Sequence, residues 1–132
     1  MKYLIDTDFL IALHFPGEVK HRQANEIAAE RLLTAESAYS HLVLQECATV
    51  ISRKYSQRAA RQVSSILREN SNGVLFVSKQ QMLEVWQLFD QQQGAKTSYI
   101  DCSNVVLARQ LGCQIVSFDQ FYQQFADVRL AL

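Results

Sequence analysis

The sequence predicts an α/β sandwich on a largely parallel sheet, and three observations carry that prediction. Short apolar runs at 2–5, 74–77 and 114–117 alternate with longer segments of helical period. Residues suited to helix N-caps stand just before those segments, at Asp6, Ser40, Ser78, Ser98 and Asp119. Turn and stop signals punctuate them: Pro16-Gly17, the cluster Asn70-Ser71-Asn72-Gly73, Gly94 and Gly112.

Taken in order, residues 2–5 form a first strand that ends at Asp6, and 8–14 a short helix stopped by Pro16-Gly17. Ala24, Ile27, Ala28 and Leu32 give 19–33 a helical period, and 34–39 suits a brief second strand or extended turn. Ser40 caps a helix running to about 54, and 57–70 is a further helix broken by the turn cluster. Residues 74–77 form a strand, and Ser78 caps a helix from 79 to about 93, ended by Gly94. Ser98 opens a helix to about 111 with Gly112 as its C-terminal stop, and a strand follows at 114–117. Asp119 sits at the next strand-to-helix turn, before a short helix at 120–125 and a closing apolar run at 128–130. No internal repeat is visible, and the one biased tract is Gln91-Gln92-Gln93 at a helix end. In an open parallel sheet the ligand crevice lies beyond the carboxyl ends of the strands, where Asp6 and Asp119 fall.

The bulk numbers fit one domain over residues 1–132, long enough to bury a continuous core without staples. A formal net charge of zero gives no overall pull towards nucleic acid or acidic lipid, so any polyanion must meet a local patch. The three cysteines, Cys47, Cys102 and Cys113, are odd in number, lack Cys-x-x-Cys spacing and stand in apolar segments. They point to buried free thiols and a reduced, cytoplasmic setting. Asp6 and Asp8 interrupt the N-terminal apolar stretch and no small-residue cleavage site follows, so it reads as a strand and not a secretion signal. No apolar run approaches the length of a bilayer span, and no membrane association is expected.

Four carboxylates stand where a domain of this kind normally places apolar or neutral groups. Asp6 and Asp119 each end an apolar run, and each has a plain alternative as a helix cap. Glu46 lies in a helical apolar stripe between Leu42 and Val50, beside Val43, Cys47 and Ile51; its plain alternative is a margin glutamate paired with Arg53 or another base. Asp101 follows Ser98 by three, which makes a capping box, and shares a helix face with Val105 and Ala108. Asp8 suits the first helical turn and can also face the same site. Acids at a core margin lose hydration and repel one another, an arrangement a cation relieves. The convergence of all four in one small domain points to a metal-dependent hydrolase.

The segments KYLIDTDFLIAL, SHLVLQECATVISRK, SYIDCSNVVLARQLGCQIVSFDQFY and the closing DVRLAL resemble the PIN domain family, and more narrowly its small VapC-like toxin ribonucleases of bacterial VapBC toxin–antitoxin pairs. The resemblance spans essentially the whole chain. It implies a three-layer α/β/α fold with a mostly parallel sheet, and a divalent metal surrounded by Asp6, Glu46, Asp101 and Asp119. Asp6 and Asp101 are then the principal ligands, Glu46 binds directly or through water, and Asp119 completes the site or orients the nucleophile. Oxygen ligands without histidine or cysteine suit hard ions, Mg²⁺ or Mn²⁺. His14, His21 and His41 read as surface or helix-end residues. Ser117 stands where the family often has threonine and keeps the hydroxyl; Asp8 stands where a small polar residue is frequent and adds charge or an outer contact. The implied reaction is hydrolysis of RNA phosphodiester bonds, with an antitoxin protein as partner and a homodimer as the usual assembly.

The stretch holding Arg53, Lys54, Arg58, Arg61 and Arg68 contains no acid and is a candidate phosphate patch, against the plain reading of a solvated helix face. Two rival functions remain at this stage. Asp6-Thr7-Asp8 imitates the nucleophile motif of haloacid-dehalogenase-like phosphatases, although the late acids Asp101 and Asp119 are far apart in sequence. A PIN module that binds RNA or protein without cutting is the other. No phosphate loop, Gly-x-Ser-x-Gly elbow or spaced zinc set is present.

Overall fold

The computed structural model describes residues 2–33, 35–70, 73–94 and 96–129. Four parallel strands, β1 (Tyr3–Ile5), β2 (Ser37–Ser40), β3 (Val74–Leu75) and β4 (Gln114–Val116), form one sheet in the order β3-β2-β1-β4. In β1 the alternation of side chains separates two cores: Tyr3 and Ile5 enter one cluster and Leu4 the other. The first cluster is completed by α1 (Thr7–His14), α2 (His21–Ile27), α3 (His41–Lys54) and α4 (Gln57–Glu69). On the opposite face α6 (Tyr99–Leu111) packs Val105, Leu107 and Ala108 against Leu4 and Ile115, and α5 (Lys79–Asp90) packs on α6. The result is the expected three-layer α/β/α arrangement with a parallel sheet.

The capping serines Ser40, Ser78 and Ser98 act as the sequence suggests, and Ser56, without such a suggestion, caps α4 in the same way. Ser40, Ser56, Ser78 and Ser98 accept hydrogen bonds from the amides of Val43, Ala59, Gln81 and Asp101, each such cap contributing about 1 kcal/mol. Gly112 takes the left-handed conformation (φ 66°) that ends α6, where a side chain would be strained. All three cysteines are buried and free, and no helix among the described residues is long and apolar enough to cross a membrane.

Several boundaries differ from the sequence expectation. The helix expected over 19–33 starts at His21, and its end, Ala28–Leu32, winds as a π-helix that keeps Leu32 against the core. The second strand starts at Ser37 instead of residue 34, Thr34 itself lying outside the described residues. β3 is an edge strand and spans only Val74–Leu75, two residues short of the expected run. The helix after Ser78 ends at Asp90, before the glutamine tract, so Gly94 lies beyond it instead of terminating it. Residues Gln120–Gln124 form a 3₁₀ helix, and the closing run is a single bridge, Ile115 to Arg129, with residue 130 outside the described residues.

Candidate active site

The chain leaves β1 towards β2 on one side and meets β4 on the other, so the switch in strand order falls between β1 and β4 and opens a crevice at their carboxyl ends. Asp6, the residue after β1, is tied there by its amide, which donates to the Val116 carbonyl at 3.0 Å. Its side chain caps α1 and is only 4% exposed. Oδ1 accepts from the Thr7 amide (2.8 Å) and from Asn104 Nδ2 (3.0 Å), and Oδ2 accepts from the Ser117 hydroxyl (2.9 Å). Burial raises the Asp6 pKa, and the nearby Glu46 charge raises it further, against the pull of the Thr7 amide and the Ser117 and Tyr122 hydroxyls.

Asp8, one residue into α1, joins the same network. The Ser117 hydroxyl lies 3.1 and 3.2 Å from its two oxygens, and the Phe118 amide donates to Oδ2 at 3.1 Å. Ser117 also accepts from the Asp119 amide at 3.0 Å. A hydroxyl has one proton to give, so Ser117 serves two carboxylates with a single donor. Burial, and after it the charge of Asp6, push Asp8 up to about 7.

Asp101 reaches the crevice from the first turn of α6. Its capping box with Ser98 is formed, with Ser98 N 3.4 Å from Oδ2, and Oδ1 accepts from the Tyr122 hydroxyl at 3.3 Å. Capping and site membership therefore coexist in one side chain. Burial, then Asp6 and Asp119, raise its pKa to about 6. One turn further along α6, fully buried Asn104 ties the two halves together by donating to Asp6 and to the Tyr122 oxygen, 3.0 Å each.

Glu46 is partly buried on α3 and has no ion-pair partner among the described residues, so the pairing with Arg53 is not formed. It lines a 260 Å³ groove with Thr7, Asp8 and Lys54. Cys47, next to it, has its thiol pushed up to about 12 by burial and by Asp6, Glu46 and Asp8, in that order, which leaves it protonated. Asp119 is exposed at the rim and caps the 3₁₀ turn through the Phe121 amide (2.9 Å), while its charge still acts on Asp101.

Of the basic stretch, Lys54 reaches the acids: it shares the groove of Glu46 and Asp8 and pairs with Glu18 at 2.7 Å. Arg58 and Arg61 stand exposed on α4, which packs mainly on α3, and Arg53 is exposed near the end of α3. Arg68 lines a separate apolar cavity with His41 and Phe76. The three histidines sit at helix ends, His14 at the last residue of α1, His21 and His41 at the first residues of α2 and α3.

Among the described residues no three Asp, Glu, His or Cys side chains group tightly enough to enclose an ion by themselves. The donor set still suits a hard cation. Mg²⁺ ordinarily keeps several waters and takes one or two carboxylates, and here acids with raised pKa values adjoin a buried oxygen, Asn104 Oδ1, that has no hydrogen-bond partner among the described residues.

Three contributors escaped the sequence reading. Asn104 is a polar residue inside the apolar face of α6, three after Asp101, and that spacing is the signal that could have found it. Tyr122 follows Asp119 by three, but an aromatic in a short apolar turn reads as packing. Lys20, whose ammonium lies 5.7 Å from the Phe118 ring centroid, shares a 520 Å³ cleft with Asp8 and Lys54 and has no sequence signal at all.

The sequence matches the model of the PIN domain over residues 3–128. No curated protein matches it significantly. Among solved structures it is similar to VapC20 of Mycobacterium tuberculosis, a sarcin-ricin loop cleaving toxin, at 22% identity and TM-score 0.83, covering 98% of each chain. It is also similar to VapBC2 from Rickettsia felis bound to a DNA fragment from their promoter, at 14% identity and TM-score 0.68, covering 99% of this chain and 98% of that one. Nucleases with the PIN domain generally depend on a divalent metal. The fold, the match over nearly the full length and the acids gathered at the β1–β4 crevice agree, and the chain belongs to the PIN domain family.

Proposed function

We propose that this protein is a metal-dependent endoribonuclease that hydrolyses RNA phosphodiester bonds, that residues 1–132 act as one domain, and that it is the toxin of a toxin–antitoxin pair. The observation that carries the reading is Asp6: a residue 4% exposed, its carboxylate held by three donors, with Asp8, Glu46 and Asp101 around it and no basic side chain bonded to it among the described residues. Such a cluster is stable in its charged form when a divalent ion shares it.

In this reading Asp6 and Asp101 are the principal ligands, Glu46 binds directly or through water, and Asp119 at the rim orients the attacking water. When bound, Mg²⁺ or Mn²⁺ would lower the pKa of water and steady charge on the phosphate. Asn104 and Ser117 hold the two oxygens of Asp6, and Tyr122 holds Asp101, so the ligands are oriented before RNA arrives. Water attacks phosphorus, one P–O ester bond breaks, and the proton lost by water ends on the departing oxygen. Lys54 and Lys20 flank the acids and offset their repulsion of the RNA backbone. Arg53, Arg58, Arg61 and Arg68 give longer-range attraction.

A cognate antitoxin and a second copy of the chain are the proposed protein partners; the similarity to a VapBC2 complex supports the first. Exposed Leu83 and Trp86 on α5 offer apolar surface for assembly. Three buried free thiols suit the cytoplasm. The phosphatase alternative loses ground because the chain matches the PIN domain over residues 3–128.

Cleavage of varied RNAs by purified protein, with Mg²⁺ or Mn²⁺ and with chelator, tests the proposal against Asp6→Asn and Asp101→Asn. The expected result is metal-dependent cutting that falls on the order of 10²- to 10³-fold in each variant. A folded native chain that cuts no RNA, while binding it equally well in all three forms, would establish the non-catalytic module instead.

A further inference from the structure

The glutamine tract that follows α5 has no part in the acid cluster, yet it forms one wall of an 810 Å³ open cleft whose other wall begins at Asp119. Gln91 and Gln93 face the cleft from one side and Gln120 from the other, and none of the three amide side chains takes part in a hydrogen bond within the described protein. Phe121, partly exposed between its packing partners Tyr122 and Phe125, adds an aromatic ring to the lining. At the rim Lys96 holds the left-handed conformation (φ 66°), unfavourable for a side-chain-bearing residue, which turns the connection back towards α6.

Neutral amides carry a donor and an acceptor side by side, and they match base edges better than phosphates, which call for cations. An aromatic ring beside such groups is the usual chemistry for an unpaired base. Resting on the reading of the acids as an RNA-cutting site, we propose that this cleft binds one unpaired nucleobase next to the scissile phosphate and so sets the sequence preference of cleavage. Paired amide donor and acceptor atoms fit adenine foremost, through its amino group and adjacent ring nitrogen. The side of the site beyond Asp8, with Lys20 and Lys54, holds backbone phosphates and is indifferent to sequence.

The experiment measures binding of labelled RNA hexanucleotides of A, of C and of U to Asp101→Asn, and to the same protein carrying Gln93→Ala and Gln120→Ala, with a thermal melt of each. Oligo(A) is expected to bind tighter than oligo(U) by on the order of tenfold, and the two glutamine substitutions to bring that ratio near one. Lys54→Ala should instead weaken all three oligomers alike. A ratio near one before the glutamines are changed, or one that survives their loss, overturns the cleft but leaves the nuclease reading standing. Failure of Asp101→Asn and the native chain to bind any of the RNAs overturns the nuclease reading and the cleft with it.

Discussion

At Asp6, Asp8 and Asp101 in the β1–β4 crevice, charge is buried and bonded, whereas on the arginines of α3 and α4 it stands in water. Asp6 is 4% exposed and takes three hydrogen bonds, from α1, from α6 and from the loop after β4; Arg53, Arg58 and Arg61 are exposed and make no comparable side-chain contacts among the described residues. Burying carboxylates costs stability, and raised pKa values at Asp6, Asp8 and Asp101 are the sign of that cost. Exposed arginines cost almost nothing and say correspondingly little. The teaching of the contrast is that an unfavourable arrangement held in place by neighbours is the stronger sign of chemistry.

The comparison is broken most severely at Asn104. Asn104→Leu keeps the bulk but removes the donor shared by Asp6 and the Tyr122 oxygen, and it should lower divalent-metal affinity about 10- to 100-fold. Stability should fall by about 1–3 kcal/mol through the unsatisfied groups left behind. Calorimetric titration and urea unfolding measure the two effects, and an unchanged affinity would separate Asn104 from the site.

Titration sharpens the comparison. Asp8 at about 7 and Asp101 at about 6 stand above their ordinary value of 3.8, so the folded chain holds these protons more tightly than the unfolded one. Their contribution to stability is therefore full below about pH 4 and is lost as pH rises through 6 to 7. In chelator the melting temperature should fall over that window, the fall should shrink in Asp8→Asn, and Mg²⁺ should restore more at pH 7 than at pH 5. A melting temperature that climbs steadily from pH 4 to 7 in chelator, alike in both proteins, would count against the acid cluster.

The smallest effects belong to the exposed helix face. Arg58→Ala and Arg61→Ala should leave stability within about 0.5 kcal/mol. If each meets a phosphate, the slope of log affinity against log salt should drop by about 0.7 per contact on single-stranded RNA, with no change in sequence preference. An unchanged slope would assign the pair to solvation alone.

The same contrast explains what could be read in advance. The apolar run of β1, the serine caps and Gly112 are local signals, and they placed the strands and helices within a few residues. Asp6, Glu46 and Asp101 were conspicuous because each is an acid in an apolar setting, and the structure brings them to one crevice with Asp8 and Asp119. Asn104 and Tyr122 were hidden because their partners are distant in sequence: Asn104 meets Asp6 only once β1 and α6 pack. The π-helical end of α2 and the early end of α5 depend likewise on tertiary packing, which periodicity does not carry.

The central claim is that the acids of the β1–β4 crevice, and not the basic helix face, hold the cation on which RNA cleavage depends. Titration of Mn²⁺ into chelator-stripped protein, followed by the loss of the free-ion electron paramagnetic signal, tests it directly. The native chain and Arg61→Ala should bind alike, while Asp6→Asn and Asp101→Asn bind at least tenfold more weakly. Equal binding by all four proteins, or none by the native chain, would contradict the account.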